Sequence, residues 1–464
     1  MTDTGALIRE LGAIRTITDR AQVKLRSRDF YWYSPVLKRQ LNDVTADLVV
    51  MPASEEELIE VLKACHARRV AVTPRGLGTG NYGQAMPVRG GVLLDLSLMN
   101  RISAIEPGRA RTAAGAKLID IDTQAQAHSK QEQRMHPSTL RTASIGGFVC
   151  GGSGGVGSVT WGGLRDRGNV LGLRVVTMEN TPRVLELRGD EVQKVIHAYG
   201  TTGIVTEVEI ALAPAYGWVD LVVGFEDFDA ATRFAHALSS QDALLKKLAT
   251  PIAAPIPELY LPQLKKVLRP GIHIVLAMIA PLAMEAFQSL LAGWRAEILY
   301  RNDRDRIPGL PPIYEFSWNH TTLQALKVDK TITYSQVLYP APDHVELVAR
   351  TARVLGGDVL PHLEFVRFDG QVGCFGLPII RFTTEQRLHE IEARFEAEGC
   401  PVFSPHAYTL EEGGMKKVDP VQLAFKRETD PEGLLNPGKM IAWEKPDYDF
   451  SRHKAHLFPA VGAS

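Results

Sequence analysis

A glycine-rich loop, TPRGLGTGNYG at residues 73–83, is the first part of the sequence whose residue types point to chemistry. An apolar run at 70–74, VAVTP, predicts a buried strand that leads directly into this loop. Glycine allows close backbone approach, and successive N–H groups can point at one anion, for which a pyrophosphate is a good fit. The spacing is not GxGxxG and no Gly-Lys-Ser/Thr follows, which argues against Rossmann and Walker phosphate loops. For this loop taken alone, a flexible surface turn is the alternative.

A second glycine cluster is denser, with eleven glycines between Gly146 and Gly172. Its core, TASIGGFVCGGSGG at 142–155, follows the segment HPST at 136–139. The apolar residues within the cluster would serve no purpose in a flexible linker, so a backbone that wraps a large planar cofactor explains the composition better. A third element, GTTGIVT at 200–206, leads into a predicted strand and could place main-chain groups against the edge of a ring.

Histidine is the natural candidate for a general base, because imidazole titrates near neutral pH. Among the thirteen histidines, His406 lies in SPHAYTLEEGG and His320 in the aromatic stretch YEFSWNHTT. We predict that His406, or else His320, accepts a proton from the substrate; the alternative for each is a structural polar contact. Arg381 ends the apolar run IIRF and is predicted to clamp an anionic group, with a surface salt bridge as the alternative.

The elements that must position these residues divide the chain into four parts. Residues 1–46 form a polar lead-in, and residues 47–216 alternate strands with helices, including a helix at 54–69 with Ser54 as its cap. Residues 217–400 contain four strand-then-helix units, which predict a second α+β domain with its helices on one face of a sheet. Residues 401–464 return to the first domain. The predicted units are 218–225 with 227–240, 273–279 with 281–294, 333–339 with 342–355, and 372–382 with 384–398.

Together, the three glycine elements resemble the FAD-binding domain of the vanillyl-alcohol oxidase and para-cresol methylhydroxylase superfamily. Over residues 47–215 the pattern is most similar to FAD-linked oxidases of the glycolate oxidase subunit and D-lactate dehydrogenase type, and LLNPGKM at 434–440 resembles their C-terminal signature. The segments RDFYWYSP at 28–35 and GNYGQAMP at 80–87 are nearer to the para-cresol methylhydroxylase branch. The resemblance implies an α+β fold, with a two-part FAD-binding domain of the para-cresol methylhydroxylase type and an α+β substrate (cap) domain built on an antiparallel sheet.

The resemblance also implies which residues bind FAD. The first loop would hold the pyrophosphate, and the second cluster would line the flavin and its ribityl chain. The third element would approach the adenine or the isoalloxazine by main chain, and the C-terminal signature would lie near the dimethylbenzene or substrate side. The residues carried over, in that order, are Pro74, Arg75, Gly76, Leu77, Gly78, Thr79, Gly80 and Asn81; Pro137, Ser138, Ser144, Ile145, Gly146, Gly147, Gly151, Gly154 and Gly155; Gly203, Ile204 and Val205; and Asn436 and Lys439.

Departures from the family patterns affect the cofactor and the substrate. Thr79 stands where relatives with histidine-linked FAD have histidine, so FAD is expected to bind non-covalently. The two-histidine metal motif of metal-dependent relatives is missing from 367–382, and Glu412 replaces the histidine of a later Glu-His-Gly, so no metal is expected. Phe403-Ser404 stands in place of the Tyr-Arg pair that binds phenolate in the para-cresol branch.

Composition excludes several other classes of protein. With 52 basic and 53 acidic side chains, the chain lacks the positive charge typical of a general nucleic-acid binder. Four cysteines without CxxC spacing argue against a disulfide framework, a cysteine zinc site and an iron–sulfur cluster. The N-terminus shows no secretory pattern and no apolar run is long enough to span a membrane, so a cytoplasmic protein is expected.

The family resemblance implies an FAD-dependent oxidase or dehydrogenase that oxidises a CH–OH group by hydride transfer to flavin N5. The substrate would be a hydroxy acid or an aromatic or apolar alcohol, the acceptor oxygen or an electron carrier, and the assembly a possible homo-oligomer. The alternative is an FAD-binding, non-catalytic subunit of a multi-subunit oxidase, although such a subunit would tend to lose its glycines. A flavin reductase that consumes NAD(P)H ranks low, because the sequence has no second dinucleotide fingerprint.

Overall fold

The computed structural model describes residues 4–413 and 420–449 of the 464-residue chain. Up to residue 214 its strands are β1 (Arg15–Ile17), β2 (Leu48–Met51), β3 (Val72–Arg75), β4 (Val92–Asp95), β5 (Ile102–Glu106), β6 (Arg109–Ala113), β7 (Gln131–Gln133), β8 (Val170–Val176), β9 (Val184–Arg188) and β10 (Ile204–Pro214). The helices of this part are α1 (Thr4–Leu11), α2 (Arg20–Arg26), α3 (Pro35–Leu41), α4 (Glu55–Ala67), α5 (Leu118–Ser129), α6 (Ile145–Gly151) and α7 (Ser158–Trp161).

The following part, which corresponds to the predicted cap, has its own strands and helices. Its strands are β11 (Val219–Phe225), β12 (Lys246–Ile252), β13 (His273–Ile279), β14 (Ala296–Arg301), β15 (Ile332–Tyr334), β16 (Val337–Tyr339), β17 (Val359–Leu360), β18 (Leu363–Phe368), β19 (Gln371–Gly376) and β20 (Ile379–Arg381). Its helices are α8 (Phe228–Ser239), α9 (Ile256–Tyr260), α10 (Met284–Leu291), α11 (Asn319–Val328), α12 (His344–Leu355) and α13 (Glu385–Ala397). The described helices after these are α14 (Leu410–Gly413), α15 (Pro420–Thr429) and α16 (Ile441–Glu444).

The first sheet presents the first glycine loop. Its order is β1-β2-β4-β3, in which β2, β4 and β3 are parallel and β1 pairs antiparallel with β2. Strands β2 and β4 are buried along their whole length, as expected for parallel strands covered on both faces. Ser54 caps α4 by accepting the N–H of Glu57 at 3.3 Å, which confirms the predicted start of that helix. The loop begins where β3 ends, at Arg75.

The second sheet carries the other two glycine elements. It is antiparallel, with the order β5-β6-β10-β8-β9, and β7 pairs with the far end of β10. The third element lies at the start of β10, the strand predicted at 204–214. Helix α6 contains part of the second glycine cluster and meets this sheet at the end of β6, where Gly146 donates its N–H to the carbonyl of Ala114 at 2.8 Å.

The cap is built mainly on an antiparallel sheet with the order β12-β13-β11-β14. Helices α8 and α10 pack on it through Phe234 and Phe287, whose rings meet edge to face at 6.0 Å. Phe234 also contacts Phe225 of β11, with ring centroids 5.3 Å apart. The predicted α+β class, with a two-part first domain and an antiparallel cap, is therefore confirmed.

The four predicted strand-then-helix units are present, but two of their strands are broken. The runs predicted at 333–339 and 372–382 become β15 with β16 and β19 with β20, and the halves join two different three-stranded sheets, β15-β20-β17 and β16-β19-β18. Pro378 lies at the second break, where it has no N–H for a strand ladder. Strand β12 was missed because its sequence, KKLATPI, starts with two lysines that read as polar although both are buried.

The chain returns to the first sheet near its C-terminus. Leu434 accepts the N–H of Val72 at 2.8 Å, and Asn436 donates its N–H to the carbonyl of Val72 at the same distance. The segment is held by Asp430, which pairs with the buried Lys426 and accepts the N–H groups of residues 434 and 435. Within the described part of the chain, no helix is both long and apolar enough to cross a membrane.

A buried ion pair joins the cap to the first domain and gives a testable prediction. Lys247 of β12 lies 2.8 Å from Glu132 of β7, both side chains are less than a tenth exposed, and the indole of Trp218 donates to the same carboxylate oxygen at 2.8 Å. Replacing one partner leaves a buried, uncompensated charge, so Lys247→Met is expected to lower the free energy of unfolding by about 3–5 kcal/mol in urea titrations. The double variant with Glu132→Gln should recover most of the loss. Equal losses in the single and double variants would contradict this reading of the contact.

Candidate cofactor and active site

One cavity brings the three glycine elements together beneath the cap. It has a volume of about 1540 Å³, including the part that is open to solvent. Most of the predicted cofactor-binding residues line it: Pro74, Arg75, Gly76, Leu77, Gly78, Thr79, Gly80, Asn81, Pro137, Ser138, Ser144, Gly146, Gly147, Gly151, Gly154, Gly155, Gly203, Ile204 and Val205. Ile145, Asn436 and Lys439 do not line it. Ile145 packs in the core instead, with 1% of its surface exposed.

The first loop offers a row of backbone donors to the cavity. Within the described part of the chain, none of the backbone N–H groups from Gly76 to Asn81 has a hydrogen-bond partner. Gly78 has a φ of +68°, and a Cβ there would lie 2.1 Å from the guanidinium of Arg75. Unpaired N–H groups in a tight turn form an anion-binding concavity, which suits a pyrophosphate.

Arg75 supports this loop from within the protein. Its guanidinium donates to the carbonyls of Gly76, Leu77 and Arg28 at 3.3–3.4 Å and lies 3.7 Å from the buried carboxylate of Asp95. Burial lowers the pKa of Arg75, and the nearby Asp95 opposes that shift. The side chain therefore shapes the loop, and it shares the carboxylate of Asp95 with Arg26, which lies 2.6 Å from it.

The glycines around the cavity serve two purposes. Some allow two segments to touch, and others leave space for a ligand. A Cβ on Gly76 would lie 2.0 Å from the hydroxyl of Ser144, and one on Gly155 would lie 2.1 Å from the carbonyl of His136, so these positions allow the segments to touch. A Cβ on Gly151 would meet only Gln84, at 3.9 Å, and one on Gly147 only Ser144. The open space beside Gly151, at the end of α6, belongs to the cavity, so the cradle has room for a flat cofactor such as FAD.

The C-terminal residues predicted to contact the flavin, Asn436 and Lys439, lie outside the cavity lining and hydrogen-bond the end of the first loop. Asn436 donates its side-chain amide to the carbonyls of Gln84 at 2.9 Å and Tyr199 at 2.7 Å, and Lys439 donates to Gly83 at 2.6 Å. Burial lowers the pKa of Lys439 to about 7, and the attraction of Asp29 partly offsets that shift. Burial likewise raises the pKa of Asp29 to about 6. Asn436 and Lys439 thus hold the end of the first loop in place.

His320 is the predicted base that the structure places at the cavity. Its Nδ1 lies 2.8 Å from the carboxylate of Glu315, although the geometry is not that of a hydrogen bond. Its Nε2 has no hydrogen-bond partner within the described part of the chain. The ring therefore presents one nitrogen to the acidic neighbour and leaves the other available as a proton acceptor.

The other two predicted catalytic residues lie outside the cavity lining. His406 is buried, accepts the hydroxyl of Ser34 on Nδ1 at 2.7 Å and donates from Nε2 to the carbonyl of Tyr334 at 2.9 Å. Burial lowers the pKa of His406 to about 4, which keeps the ring neutral near pH 7. Arg381 is exposed at the end of β20. The contacts of His406 match the alternative given for it, a structural polar contact.

Several lining residues were not among the predicted site residues. The lead-in contributes Asp29, Phe30 and Tyr33, and the cap contributes Trp318, Asn319 and Gln336. A signal for the lead-in was present, since RDFYWYSP was part of the family resemblance. The cap residues had only the aromatic composition of their segment as a signal, because no local pattern shows that α11 begins at the cavity.

Other groups near the cavity bear on how FAD is attached. Cys150 lines it, but burial raises the pKa of the thiol to about 12, which makes the thiolate scarce at neutral pH. His197 also lines the cavity, and its Nδ1 lies 2.8 Å from the carbonyl of Gly152. The residues that the structure describes contain no group of three or more His, Cys, Asp or Glu side chains placed to hold a metal ion.

Gly151→Leu is expected to abolish FAD binding without unfolding the protein. The new side chain would extend into the cavity, since a Cβ at this position meets only Gln84. Gly357→Leu is the matched control, because its Cβ has no atom within 4 Å and it lies in the cap. The ratio of flavin to protein absorbance should fall at least about tenfold in the first variant alone, with similar thermal unfolding of the two apoproteins. Normal FAD content in Gly151→Leu would show that the cofactor does not lie against α6.

FAD is expected to be released completely when the protein is precipitated with acid. Thr79 offers no linking side chain, and the thiol of Cys150 is held in its less reactive form. The measurement is flavin absorbance in the supernatant and in the washed pellet. Flavin retained in the pellet would reject non-covalent binding, and Cys150→Ser and His197→Gln would then identify the attachment.

Comparison with known proteins gives the same cofactor. The family described as FAD binding domain matches residues 46–185. An uncharacterized FAD-linked oxidoreductase of Mycobacterium tuberculosis is 34% identical over 190 residues, 38% of this chain and 40% of the relative. The glycolate oxidase subunit GlcD of Escherichia coli is 33% identical over 177 residues, 36% of this chain and 34% of the relative. The D-lactate dehydrogenase of Anaerostipes hadrus is 29% identical over 197 residues, which are 39% of this chain and 40% of the relative.

The chain therefore spans about two fifths or less of the length of these curated relatives. A solved structure of alkyldihydroxyacetonephosphate synthase superposes over 94% of this chain and 85% of its own, with a TM-score of 0.71 and 15% identity, which is a likeness of fold. The matches, the backbone cradle and the cavity agree on one ligand. The chain carries an FAD-binding domain over residues 46–185, and FAD is its cofactor.

Proposed function

We propose that the protein is an FAD-dependent oxidoreductase that oxidises a CH–OH group of a small molecule. Bound FAD would supply the hydride acceptor at flavin N5, and the electrons would pass on to oxygen or to a carrier. The observation that carries this proposal is the placement of His320, whose Nε2 is left without a partner at a cavity built for FAD. The names of relatives, which include glycolate oxidase, D-lactate dehydrogenase and D-2-hydroxyglutarate dehydrogenase, support oxidation of a hydroxyl group.

His320 would act as the general base. Loss of a hydride from a carbinol carbon is helped when the hydroxyl proton leaves at the same time, and a neutral imidazole nitrogen can accept that proton. The carboxylate of Glu315, 2.8 Å from Nδ1, would stabilise the imidazolium that forms. His406 has no comparable role, because both of its ring nitrogens are engaged with protein atoms.

The lining favours an uncharged alcohol as the substrate. Among the described lining residues the charged side chains are Asp29 and Arg75, and the guanidinium of Arg75 is already bound by the protein. Phe30, Tyr33 and Trp318 add aromatic surface that an apolar or aromatic alcohol would contact. The hydroxy acids named in the relatives are the competing substrate class. Reduction of the flavin by one class and not by the other separates the two.

The proposal is tested by anaerobic reduction of the bound flavin with matched panels of alcohols and 2-hydroxy acids. Bleaching of the visible flavin band by a member of either panel is expected, with aromatic alcohols the more effective. A protein that retains FAD and is bleached by neither panel would point to the non-catalytic subunit instead.

Substitution of the two histidines should separate their roles. His320→Gln is expected to slow flavin reduction at saturating substrate by about 100- to 10,000-fold, the usual effect of losing a general base, while FAD content stays normal. His406→Gln should leave the rate within about threefold and lower the thermal unfolding midpoint, because it breaks buried hydrogen bonds to Ser34 and Tyr334. The reverse pattern would return the role of base to His406.

A further inference from the structure

Trp318 has a strained backbone at the edge of the cavity. Its φ is +51° and its ψ is −142°, in a region that bulky residues rarely adopt. It directly precedes Asn319 and His320, which also line the cavity. Strain of this kind persists only where the surroundings enforce it, and it concentrates at sites that bind ligands.

A buried polar network enforces this conformation. The carboxylate of Glu364, which is 1% exposed, accepts the backbone N–H of Trp318 at 2.5 Å. The same carboxylate accepts the hydroxyl of Thr250 at 2.6 Å and lies 2.9 Å from Nε2 of the fully buried His362. Because Glu364 is itself fixed from two sides, the backbone of Trp318 has little freedom to relax.

The indole of Trp318 is a buried donor without a partner. Its residue lines the cavity and is 9% exposed, yet Nε1 is buried and makes no hydrogen bond within the described part of the chain. The ring reaches the second glycine cluster, since a Cβ on Gly154 would lie 3.8 Å from its Cη2 atom. Buried N–H groups are nearly always paired in folded proteins, so a donor left unpaired beside a cavity points to a ligand acceptor.

We propose that the indole N–H of Trp318 binds the reacting oxygen of the substrate, and that Glu364 positions it for this task. The inference rests on the proposed function, which puts a CH–OH group beside His320. The carbinol oxygen would accept from the indole and donate its O–H to Nε2 of His320. On oxidation the O–H proton passes to His320 and the C–H hydride to FAD. The product keeps a carbonyl oxygen on the indole, so the ligand class is an uncharged alcohol or carbonyl compound.

The test compares two probes of similar shape on the oxidised holoenzyme. Acetophenone carries a carbonyl oxygen and ethylbenzene does not, and both match the aromatic lining. Their dissociation constants can be measured from the change in flavin absorbance, without turnover. One neutral hydrogen bond from an otherwise unpaired donor should make acetophenone bind about tenfold more tightly. Trp318→Phe, which keeps the ring and removes the N–H, should reduce this preference to less than about threefold.

Trp161→Phe is the matched control. Trp161 is half-buried, stacks beneath Arg134 at 5.1 Å and lies outside the cavity lining, so its replacement should leave the preference unchanged. The inference is overturned if the unaltered protein binds neither probe or shows no preference, or if the preference survives in Trp318→Phe.

A second measurement covers the case in which Trp318→Phe does not fold. In holoenzyme labelled with ¹⁵N at the indole nitrogen, the six tryptophans give six N–H signals. One signal is expected to shift downfield with acetophenone and to stay in place with ethylbenzene, and no such signal would overturn the inference. A shift without bleaching by any alcohol rejects the proposed function alone. Bleaching by alcohols with unmoved indole signals rejects the role of Trp318 alone.

Discussion

The cavity depends on close contacts at glycines, where the missing side chain lets a neighbouring segment approach. Gly76 meets the hydroxyl of Ser144, Gly200 meets the ring of Pro74, and Gly155 meets the carbonyl of His136, each at a distance too short for a Cβ. The first two contacts tie β3 and its loop to the N-cap of α6 and to the segment that leads into β10 of the second sheet. A methyl group at any of these positions would collide with a neighbouring segment, so these glycines set how closely the segments around the cavity approach one another.

The end of the first loop is held by residues from every other part of the chain. Asn81 donates to the hydroxyl of Tyr334 at 2.7 Å, and Tyr82 hydrogen-bonds Gln336, so the cap is fixed to the loop. Asp29 of the lead-in accepts the N–H of Ala85 at 3.3 Å, while Lys439 of the C-terminal segment donates to Gly83. All of these contacts are buried or nearly so, where hydrogen bonds are strong and unpaired groups are costly. The lead-in and the C-terminal segment are therefore structural parts of the cofactor site.

Much of the fold could be predicted because it is encoded locally. The apolar run at 204–214 is β10 and HIVLAMI is β13 with the bounds expected, and Ser54 caps α4 as its spacing indicated. The prediction of strands failed where contacts with distant residues decide whether a polar side chain is buried. The lysines that open β12 read as polar, yet Lys246 bonds the carbonyl of Gln241 and Lys247 pairs with Glu132, so both are buried. Residues 414–419 and 450–464, which contain part of the predicted C-terminal return, lie outside the described residues.

By itself, the sequence predicted the cofactor, through the family resemblance of its three glycine elements. Those elements could be recognised because glycine composition and strand runs are properties of a few neighbouring residues. The tertiary structure alone decided which side chains reach the cavity. The sequence favoured His406 over His320 as the base. In the structure, however, His406 is engaged by Ser34, 372 positions away, whereas His320 lies in the first turn of α11 at the cavity wall. Trp318 gained its role in the same way, from a carboxylate 46 positions away that holds its backbone. The availability of a side-chain nitrogen depends on every group packed around it, and that packing exists only in the folded chain.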